Sequence, residues 1–161
     1  MGKRKPAIGV IGGKEVSQSD LDLAYELGVH IANNDALLIC GGLGGIMEAA
    51  SRGAAENNGT VLGVLPGEKK SDANPWVTIA LPTGMGIGRN TLVVRFSDVL
   101  IAFPGSYGTL SEIGLALNSG KTVVYLPGAW DLKKIASVES ARYKEAFTAP
   151  QAVGLALDAL R

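Results

Sequence analysis

Cysteine and histidine are almost absent from this chain of 161 residues, which has one of each, Cys40 and His30. A disulfide needs two cysteines, and the usual zinc and iron–sulfur sites need several cysteine or histidine ligands. The sequence therefore excludes an internal disulfide and predicts no protein-ligated metal. Cys40 ends an apolar run and is interpreted as a core residue. His30 is interpreted as a surface or packing residue.

Neither sign of charge predominates, and no apolar run is long. The chain has 15 Lys and Arg residues against 15 Asp and Glu residues, so a large basic face and a nucleic-acid partner are not predicted. No apolar run approaches the roughly 18 residues of a membrane span. The apolar segment after the basic start at residues 1–6 is too short for a signal peptide. We expect a cytoplasmic protein with no membrane or nucleic-acid partner.

Glycine, in contrast, is abundant: there are 22 glycines, although aromatic residues make up only 6% of the chain. The glycines cluster at the ends of short apolar runs, as in tight turns between strands and helices. The runs are continuous rather than alternating, which predicts strands covered on both faces and hence a parallel sheet. The length fits one domain. We expect residues 1–161 to form a single Rossmann-like ligand-binding domain.

Strand-like and helix-like segments alternate, which predicts a doubly wound α/β fold. Strands are predicted at 7–11, 36–40, 60–65, 76–81, 98–103 and 121–126. Helices are predicted from a cap at 17–20 to 31, at 46–57, 89–97 and 109–119, and from a cap at 148–151 to 160. Residues 127–147 show no clear period and are predicted to hold a short helix and a small edge strand.

These elements predict a mostly parallel sheet of six or seven strands with helices on both faces. Such folds bind ligands at the carboxyl ends of the strands, at the point where the strand order reverses. All the glycine clusters follow predicted strands and so lie at that edge, beginning with Gly12 and Gly13 after the first strand. The ligand site is therefore predicted there.

The sequence Pro-Gly-Ser-Tyr-Gly-Thr-Leu-Ser-Glu, which ends at Glu112, joins a predicted strand to a predicted helix and is the most informative feature of the chain. The first amides of a helix have no partner within it and bind anions such as phosphate. Gly105 and Gly108 let the backbone approach a ligand, and Ser106 and Thr109 add hydroxyl donors. Glu112 has two interpretations. It either faces the ligand or reaches back to Thr109 in a capping box.

A second glycine cluster, at residues 41–45, also lies between a predicted strand and a predicted helix. It lacks the G-x-G-x-x-G spacing of dinucleotide-binding proteins, and no acidic residue follows about 20 positions on. It also lacks the Lys-Ser/Thr ending of a Walker loop. Neither classical NAD binding nor ATP hydrolysis is therefore predicted. The cluster either binds a ligand or only makes a turn that lets a helix pack tightly on the sheet.

Arg89 follows a third glycine-rich turn and falls in the first turn of a predicted helix, where the helix dipole disfavours a cation. A positive side chain at such a position usually has an anionic partner. The partner is either a ligand phosphate or Glu112, and both alternatives place Arg89 and Glu112 near one pocket. The remaining alternative is a solvated surface arginine.

Three segments together resemble the signatures of the LONELY GUY-like (SLOG) Rossmann superfamily. They are GGLGGIMEA at residues 41–49, GRN at 88–90 and PGSYGTLSE at 104–112. The superfamily includes cytokinin riboside monophosphate phosphoribohydrolases, molybdenum cofactor carrier proteins, and proteins that have carried a lysine decarboxylase label. The resemblance extends from Ala7 to about Val124 and is specific for the superfamily rather than for one function within it.

Departures from the hydrolase pattern make the chain more similar to the carrier branch. Arg89 and Glu112 match the pair credited in the hydrolases with positioning the substrate and cleaving the N-glycosidic bond. Asn90, however, stands in the place of a lysine and Ser111 in the place of a glutamate, and the glycine run is shorter. A lysine decarboxylase would need a pyridoxal-phosphate site with a Schiff-base lysine, and no lysine lies in a recognisable motif at a predicted strand end.

The resemblance therefore implies a phosphate- and anion-binding protein that holds a phosphorylated small molecule, a pterin or a nucleotide. The cofactor that it implies as bound cargo is the molybdenum cofactor (molybdopterin). The alternative is an enzyme, a nucleoside 5′-monophosphate phosphoribohydrolase that cleaves the N-glycosidic bond with Arg89 and Glu112 as catalytic residues. A regulatory nucleotide sensor is a third and weaker interpretation.

The predicted ligand-binding residues are the glycine clusters and the side chains of the three motifs. They are Gly12, Gly13, Gly41, Gly42, Gly44, Gly45, Met47, Gly88, Arg89, Asn90, Gly105, Ser106, Tyr107, Gly108, Thr109 and Glu112. The resemblance also implies a homo-oligomer, a dimer or a tetramer. The helix predicted at 91–97 supports this, because its apolar side chains face more than one side and one sheet cannot bury them all. These side chains are Leu92, Val93, Val94 and Phe96.

Overall fold

The computed structural model describes residues 4–128, 130–136 and 141–161. Within them, seven strands form one sheet in which every pairing is parallel. The strands are β1 (Ala7–Ile11), β2 (Leu37–Cys40), β3 (Val61–Leu65), β4 (Ile79–Pro82), β5 (Val99–Ala102), β6 (Val123–Tyr125) and β7 (Tyr143–Glu145). Their order across the sheet is β4-β3-β2-β1-β5-β6-β7. The predicted Rossmann-like α/β fold is confirmed, with a sheet that is wholly rather than mostly parallel.

Helices cover both faces of this sheet, as predicted. They are α1 (Gln18–Asn33), α2 (Ile46–Glu56), α3 (Asn90–Phe96), α4 (Tyr107–Asn118), α5 (Leu132–Ala136) and α6 (Ala149–Asp158). One apolar cluster joins α1, α2 and α6 to the sheet, and a second joins α3, α4 and α5 to its other face. β1 is buried along its whole length and supplies Ile8 to the first cluster and Ile11 to the second. Burial on both faces explains why its sequence is continuously apolar.

The strand order reverses between β1 and β5. From β1 the chain steps outward to β2, β3 and β4, and it then returns to pair β5 with the free side of β1. Gly9 accordingly pairs with Ile39 on one side and with Leu100 on the other. Crossovers that leave neighbouring strands in opposite directions open a crevice at the carboxyl ends of those strands. The segments that follow β1 and β5 form the walls of this crevice.

The helices begin in two different ways. α1 and α6 have side-chain caps, as predicted: the hydroxyls of Ser17 and Thr148 each accept a hydrogen bond from the amide three residues further on. α2 follows Gly45 and α4 follows Ser106, and neither of these two helices has a side-chain cap hydrogen bond. The first amides of α2 and α4 are therefore not satisfied by an N-cap side chain.

The start of α4 overturns the capping-box interpretation of Glu112. The helix begins at Tyr107, two residues before the predicted start, so Thr109 is its third residue and not its N-cap. Thr109 and Glu112 are both buried, at 5% and 6% exposure. Glu112 lies in the second turn, too far along the helix to pair with the first amides.

Several other boundaries differ from the prediction by one or two residues, and the start of β4 differs by three. β4 starts at Ile79 rather than at 76, because the side chain of Asn74 accepts a hydrogen bond from the amide of Trp76 at 3.1 Å and makes a turn there. After α2 the chain turns at Asn58, which has a left-handed backbone conformation with φ of 60°. Asparagine tolerates this conformation better than most residues.

The predicted short helix and edge strand within residues 127–147 are both present, as α5 and β7. β7 is the last strand of the sheet, and Nζ of Lys133 lies 3.3 Å from Oε2 of Glu145, which joins α5 to β7. The remainder of this prediction, at residues 129 and 137–140, lies outside the described residues. No helix in the described ranges is long and apolar enough to cross a membrane.

Candidate functional site

A cleft of about 800 Å³ opens at the carboxyl ends of β1 and β5. Val10 and Ile11 of β1 form part of its wall, and the segment after β5 contributes several residues between Pro104 and Glu112. A cavity of this volume is in the range of small-molecule and cofactor sites. The cleft therefore lies where the strand order reverses, at the edge that the sequence predicts for a ligand.

Most of the predicted ligand-binding residues line this cleft, and some do not. Those that line it are Gly12, Gly13, Gly41, Met47, Arg89, Asn90, Gly105, Ser106, Gly108, Thr109 and Glu112. Those outside its lining are Gly42, Gly44, Gly45, Gly88 and Tyr107. The structure adds Val10, Ile11, Lys14, Glu15, Val16, Asp20, Leu43, Pro66, Gly86, Ile87, Pro104, Gly128 and Trp130.

Backbone hydrogen bonds of Gly13 connect the segment after β1 to the segment after β5 and to the start of α2. Its amide donates to the carbonyl of Pro104 at 3.1 Å, and its carbonyl accepts from the amide of Ile46 at 3.1 Å. The amide of Phe103 donates to the carbonyl of Ile11 at 2.9 Å and continues the pairing of β1 with β5 to the rim. The N–H of Gly13 is thus hydrogen-bonded within the protein and is not free to donate to a ligand. Gly13 can contact a ligand only by van der Waals approach of its backbone.

The start of α4 forms one side of the cleft. Ser106 precedes the helix without capping it, and Oγ of Ser111 donates to the carbonyl of Gly108 at 2.7 Å rather than to a ligand. The amides in the first turn of a helix have no partner inside the helix, and the helix dipole adds positive charge to them. Because Gly105, Ser106 and Gly108 line the cleft, this helix start offers an anion-binding surface.

The glycine cluster at residues 41–45 faces the start of α4 with only one of its glycines. Gly41 lines the cleft, and a Cβ there would lie 2.5 Å from Nη2 of Arg89, so any side chain would displace the guanidinium. Gly42 and Gly45 have positive φ, 75° and 68°, and make the turn into α2. The turn-forming interpretation is correct for these two glycines, whereas Gly41 shapes the cleft.

Arg89 is buried in the cleft, which excludes the solvated surface arginine. It is 9% exposed and ends a 3-10 turn (Gly86–Arg89) directly before α3. Its Nη1 donates to Oδ1 of Asn90, and its Nη2 donates to the carbonyl of Gly41 at 3.4 Å. Its Nε is buried and has no hydrogen-bond partner. An unpaired buried donor on a cation is costly, and no carboxylate in the described part of the chain lies within 4 Å to neutralise this guanidinium.

Asn90 connects this guanidinium to the start of α4. The side chain is 6% exposed, and its Oδ1 accepts the hydrogen bond from Arg89. Its Nδ2 would lie 3.4 Å from a Cβ placed on Gly108, so the amide reaches the first turn of the helix. Asn90 thereby fixes the orientation of Arg89 toward the surface that the α4 amides form.

Glu112 supplies a carboxyl that exchanges its proton near neutral pH. Burial raises the pKa of Glu112 from 4.5 to about 7, and the positive charge of Arg89 opposes this rise. Burial also lowers the pKa of Arg89, and the charge of Glu112 opposes that change. Both residues lie among the described residues, and no nitrogen of Arg89 lies within 4 Å of an oxygen of Glu112. The attraction between the two charges is therefore weaker than the effect of desolvation on either pKa.

This arrangement suits two kinds of chemistry. A helix start and a buried guanidinium can hold a phosphate between them. A carboxyl with a pKa near 7 repels that phosphate less than an ordinary carboxylate would, because it is partly protonated at neutral pH. The same carboxyl has the proton affinity of a general acid or base. The geometry thus fits a binding protein and a hydrolase alike.

The remaining candidate side chains do not contribute to the cleft. Cys40 is fully buried, as predicted; its Sγ accepts from the amide of Gly42 at 3.4 Å and lies 3.5 Å from Oγ of Ser51. Burial raises the pKa of this thiol, which makes it a poor nucleophile. His30 is half-buried near the end of α1. Among the described residues, no three His, Cys, Asp or Glu side chains gather as metal ligands.

The match to known protein families covers nearly the whole chain. The model of the SLOG cluster4 family matches residues 5–153, a range that includes every segment of the cleft from Val10 to Trp130. The chain belongs to the SLOG cluster4 family. The family membership that three short motifs predicted is thereby confirmed.

Two solved structures of molybdenum cofactor proteins have the same fold as this SLOG cluster4 protein. The molybdenum cofactor binding protein of Rippkaea orientalis matches with a TM-score of 0.93 and 36% identity, over 99% of this chain and 100% of that one. The molybdenum cofactor carrier protein of Chlamydomonas reinhardtii matches with a TM-score of 0.90 and 34% identity, over 98% of this chain and 99% of that one.

Sequence relatives extend the similarity to a hydrolase. A protein of uncharacterized function from Archaeoglobus fulgidus is 45% identical over 119 residues, which are 74% of this chain and 78% of that protein. The cytokinin riboside 5′-monophosphate phosphoribohydrolase of Arabidopsis thaliana is 34% identical over 110 residues. That segment is 65% of this chain but 46% of the plant enzyme, so the match covers less than half of the hydrolase.

Sequence reasoning missed two groups of residues in this SLOG cluster4 cleft. Lys14 and Glu15 lie between β1 and α1, and Asp20 lies in the first turn of α1. Their place soon after the first strand of a parallel sheet is a signal that identifies them in retrospect. Gly128 and Trp130 follow β6, in the stretch without a clear period. Their place beside the cleft depends on β6 lying next to β5, and strand order is not visible in the sequence.

Proposed function

We propose that this protein binds a phosphorylated small molecule in the cleft and holds it as a carrier, without obligatory chemistry. The observation that carries this proposal is the pairing of the uncapped start of α4 with Arg89, whose buried Nε has no partner within the protein. A helix N-terminus and a guanidinium that converge on one space are the two commonest protein partners of phosphate groups.

The phosphate is proposed to bind at the amides of residues 105–109, opposite the glycine cluster at 41–45. Support comes from Gly105, Ser106 and Gly108, which line the same cleft as Arg89. Asn90 holds the guanidinium in place through its Oδ1.

The proposed cargo is the molybdenum cofactor, which joins a phosphate to a pterin ring system. The support is similarity: the names of the Rippkaea and Chlamydomonas proteins state that they bind or carry this cofactor, and both match at least 98% of this chain. The cleft is lined by polar residues such as Arg89 and by apolar residues such as Val16 and Met47, which suits a ligand that joins a charged group to a ring system.

Native mass spectrometry of the freshly purified protein tests the cargo directly. We expect a bound species of a few hundred daltons that is released on denaturation and fluoresces as a pterin after oxidation. Calorimetric titration with phosphorylated pterins and nucleoside monophosphates then ranks the ligands. A protein that carries nothing on purification and binds no phosphorylated compound at millimolar concentration contradicts the proposal.

A second function, hydrolysis of nucleoside 5′-monophosphates, is favoured by one observation. Glu112 combines burial with a pKa of about 7, which suits a group that takes a proton from an attacking water. Water would add to the sugar carbon of the N-glycosidic bond while the base departs, and Arg89 would orient the phosphate and ribose. Against this function, Asn90 and Ser111 stand where the resembling hydrolases have a lysine and a glutamate.

A base-release assay on purine and pyrimidine monophosphates separates the two functions. If the protein is a hydrolase, Glu112→Gln abolishes base release and leaves ligand affinity within about tenfold, because a group that acts in the transition state contributes little to ground-state binding. If it is a carrier, the wild type releases no base. Robust hydrolysis of AMP by the wild type would overturn our preference for a carrier.

We also propose that the protein is a cytoplasmic homo-oligomer, a dimer or a tetramer. On α3, Val93 and Val94 are buried within the chain, but Phe96 remains 44% exposed. Ile79 and Leu81 of the edge strand β4 are likewise exposed, at 45% and 37%. Large apolar side chains that remain exposed are typical of subunit interfaces when they form a patch. Sedimentation that shows a monomer at high micromolar concentration contradicts this part of the proposal.

A further inference from the structure

Trp130 is the one aromatic side chain among the described residues that line the cleft. It lies between β6 and α5 and is half-buried. One part of the side chain packs against the apolar cluster beneath α3, α4 and α5, and another part borders the cleft. The function proposed above uses the polar end of the cleft and assigns no role to this indole.

The segment that carries Trp130 packs against the loop after β5, at residues 104–106, which leads into the proposed phosphate site. A Cβ on Gly128 would lie 2.5 Å from Cγ of Pro104, so only glycine allows the two segments to approach this closely. The hydroxyl of Tyr125 donates to the carbonyl of Trp130 at 3.3 Å. Leu132, which follows, is buried at 2% exposure. These contacts fix the backbone of Trp130 beside the loop, and its side chain packs against the apolar cluster beneath α3, α4 and α5.

The other tryptophan of the chain provides a contrast. Trp76 has a partner for its ring, because the guanidinium of Arg52 lies 5.9 Å from the ring centroid. Among the described residues, no aromatic ring stacks on Trp130 and no guanidinium lies over its ring. The part of the indole that borders the cleft is therefore available to a flat group within the cleft.

We propose that Trp130 is the stacking surface for the heterocyclic ring of the ligand. This inference rests on the proposed function, since it assumes that the phosphate binds at the start of α4. It narrows the ligand class to phosphorylated molecules that carry a flat nitrogen heterocycle, a pterin or a purine. Phosphate and indole act on opposite ends of such a ligand: the first supplies charge and orientation, and the second selects for the ring. Aromatic stacking accepts many heterocycles, because every one of them has a π face.

Affinity measurements with matched probes test this role. The ring-bearing probes are AMP and neopterin monophosphate, and the ring-free probe is ribose 5-phosphate. We expect the wild type to bind at least one ring-bearing probe tenfold or more tightly than ribose 5-phosphate. Trp130→Leu, which keeps an apolar side chain against the core, should remove most of that gain and leave ribose 5-phosphate within about twofold. Trp130→Phe should restore part of the gain, because it restores an aromatic face.

Tryptophan fluorescence gives a second readout that does not depend on affinity. Trp76→Phe leaves Trp130 as the sole tryptophan, and its emission should be quenched by a saturating ring-bearing probe. Trp130→Phe leaves Trp76, whose emission should not respond. Equal affinity of the wild type for all three probes, or no quenching in Trp76→Phe, overturns the role of Trp130 while leaving the phosphate site intact. Failure of all three probes to bind overturns the proposed function and this inference together.

Discussion

Two pairs of helices in this protein begin at the same edge of the same sheet in opposite ways. α1 and α6 are capped by hydroxyls of their own chain, from Ser17 and Thr148. α2 and α4 start after Gly45 and Ser106 without a side-chain cap. The capped pair satisfies its first amides internally and thereby stabilises the fold. Both uncapped helices begin near the cleft. The first amide of α2 donates to the carbonyl of Gly13 at 3.1 Å, whereas the first amides of α4 are left to an external acceptor.

The same contrast holds for the charged side chains. The ion pairs of the described residues involve exposed lysines and arginines, such as Arg161 with Asp158 at 3.0 Å and Lys134 with Asp131 at 3.2 Å. Arg89 and Glu112 are instead buried, and neither makes an ion pair within 4 Å among the described residues. Buried, unpaired charge lowers stability, so the uncapped region carries a cost that the capped region does not. Four substitutions measure this difference.

The largest effect is expected at Glu112. Burial raises its pKa from 4.5 to about 7, so the folded state binds the proton more tightly than the unfolded state. Binding of this proton stabilises the folded state relative to the unfolded state. This stabilisation is fully present below about pH 4.5 and is lost as the pH rises through 7. Above pH 7 the loss amounts to about 3 kcal/mol. Glu112→Gln cannot ionise and should therefore be more stable than the wild type by roughly that amount at pH 8, with little difference at pH 4.5.

Urea unfolding of both proteins at these two pH values measures the effect. Asp158→Asn is a matched control, because Asp158 is an exposed carboxylate at the end of α6. It should show no comparable gain at pH 8. The difference in unfolding free energy between Glu112→Gln and the wild type should be larger at pH 8 than at pH 4.5. If the difference is the same at both pH values, Glu112 is not a buried carboxyl that destabilises the fold when charged.

Arg89 is expected to have the next largest effect, on binding rather than on stability. Arg89→Ala removes the guanidinium that faces the start of α4, and charge-assisted hydrogen bonds contribute roughly 1.5–3 kcal/mol. Sulfate affinity should therefore fall by roughly 10- to 150-fold. Sulfate is the appropriate probe because it does not titrate near neutral pH. Isothermal titration of Arg95→Ala, on the opposite end of α3, supplies the control and should match the wild type.

The capped pair gives the third effect. Thr148→Ala removes the hydroxyl that accepts from the amide of Gln151 at 3.3 Å, and loss of an N-cap costs about 1 kcal/mol. The midpoint of thermal unfolding should fall, while sulfate affinity stays unchanged because Thr148 does not line the cleft. Thr148→Ser, which keeps the hydroxyl, should recover most of the stability. A change in affinity would show that the two pairs of helix starts are coupled.

Ser106 gives the smallest expected effect and the sharpest contrast with Thr148. Because its side chain makes no cap hydrogen bond, Ser106→Ala should change the free energy of unfolding by less than about 0.5 kcal/mol. Its hydroxyl borders the cleft, so sulfate affinity should fall a few-fold, as for one neutral hydrogen bond of about 1 kcal/mol. A stability loss as large as that of Thr148→Ala would mean that α4 is capped in solution and would end the distinction between the pairs.

The contrast between local and long-range information also explains what the sequence predicts well. β1 and β5 were predicted within one residue at each end because burial on both faces leaves a continuous apolar run. The caps at Ser17 and Thr148 were predicted because a cap involves only four consecutive residues. The pairing of Arg89 with Glu112 in one pocket was predicted from the helix dipole, which is again a local property.

The predictions fail where contacts between residues far apart in the sequence determine the structure. Thr109 to Glu112 fits a capping box, yet α4 starts at Tyr107 and Glu112 is buried by packing against the rest of the cleft. Trp130 carries no motif, and its position depends on β6 lying beside β5. Periodicity assigns an element to a segment, but it does not order the strands, so residues contributed by the outer loops were not identified.

The pairing of β1 with β5 also determines when the cleft can form during synthesis. β1 ends at Ile11, and its partner begins at Val99. Until that partner has left the ribosome, β1 is an open edge of the nascent sheet in addition to β4. An open, apolar edge of this kind invites pairing with other chains. Pairing over so long a sequence separation is also slow. The strand that completes the ligand site is thus the one that closes the most aggregation-prone edge of the growing chain.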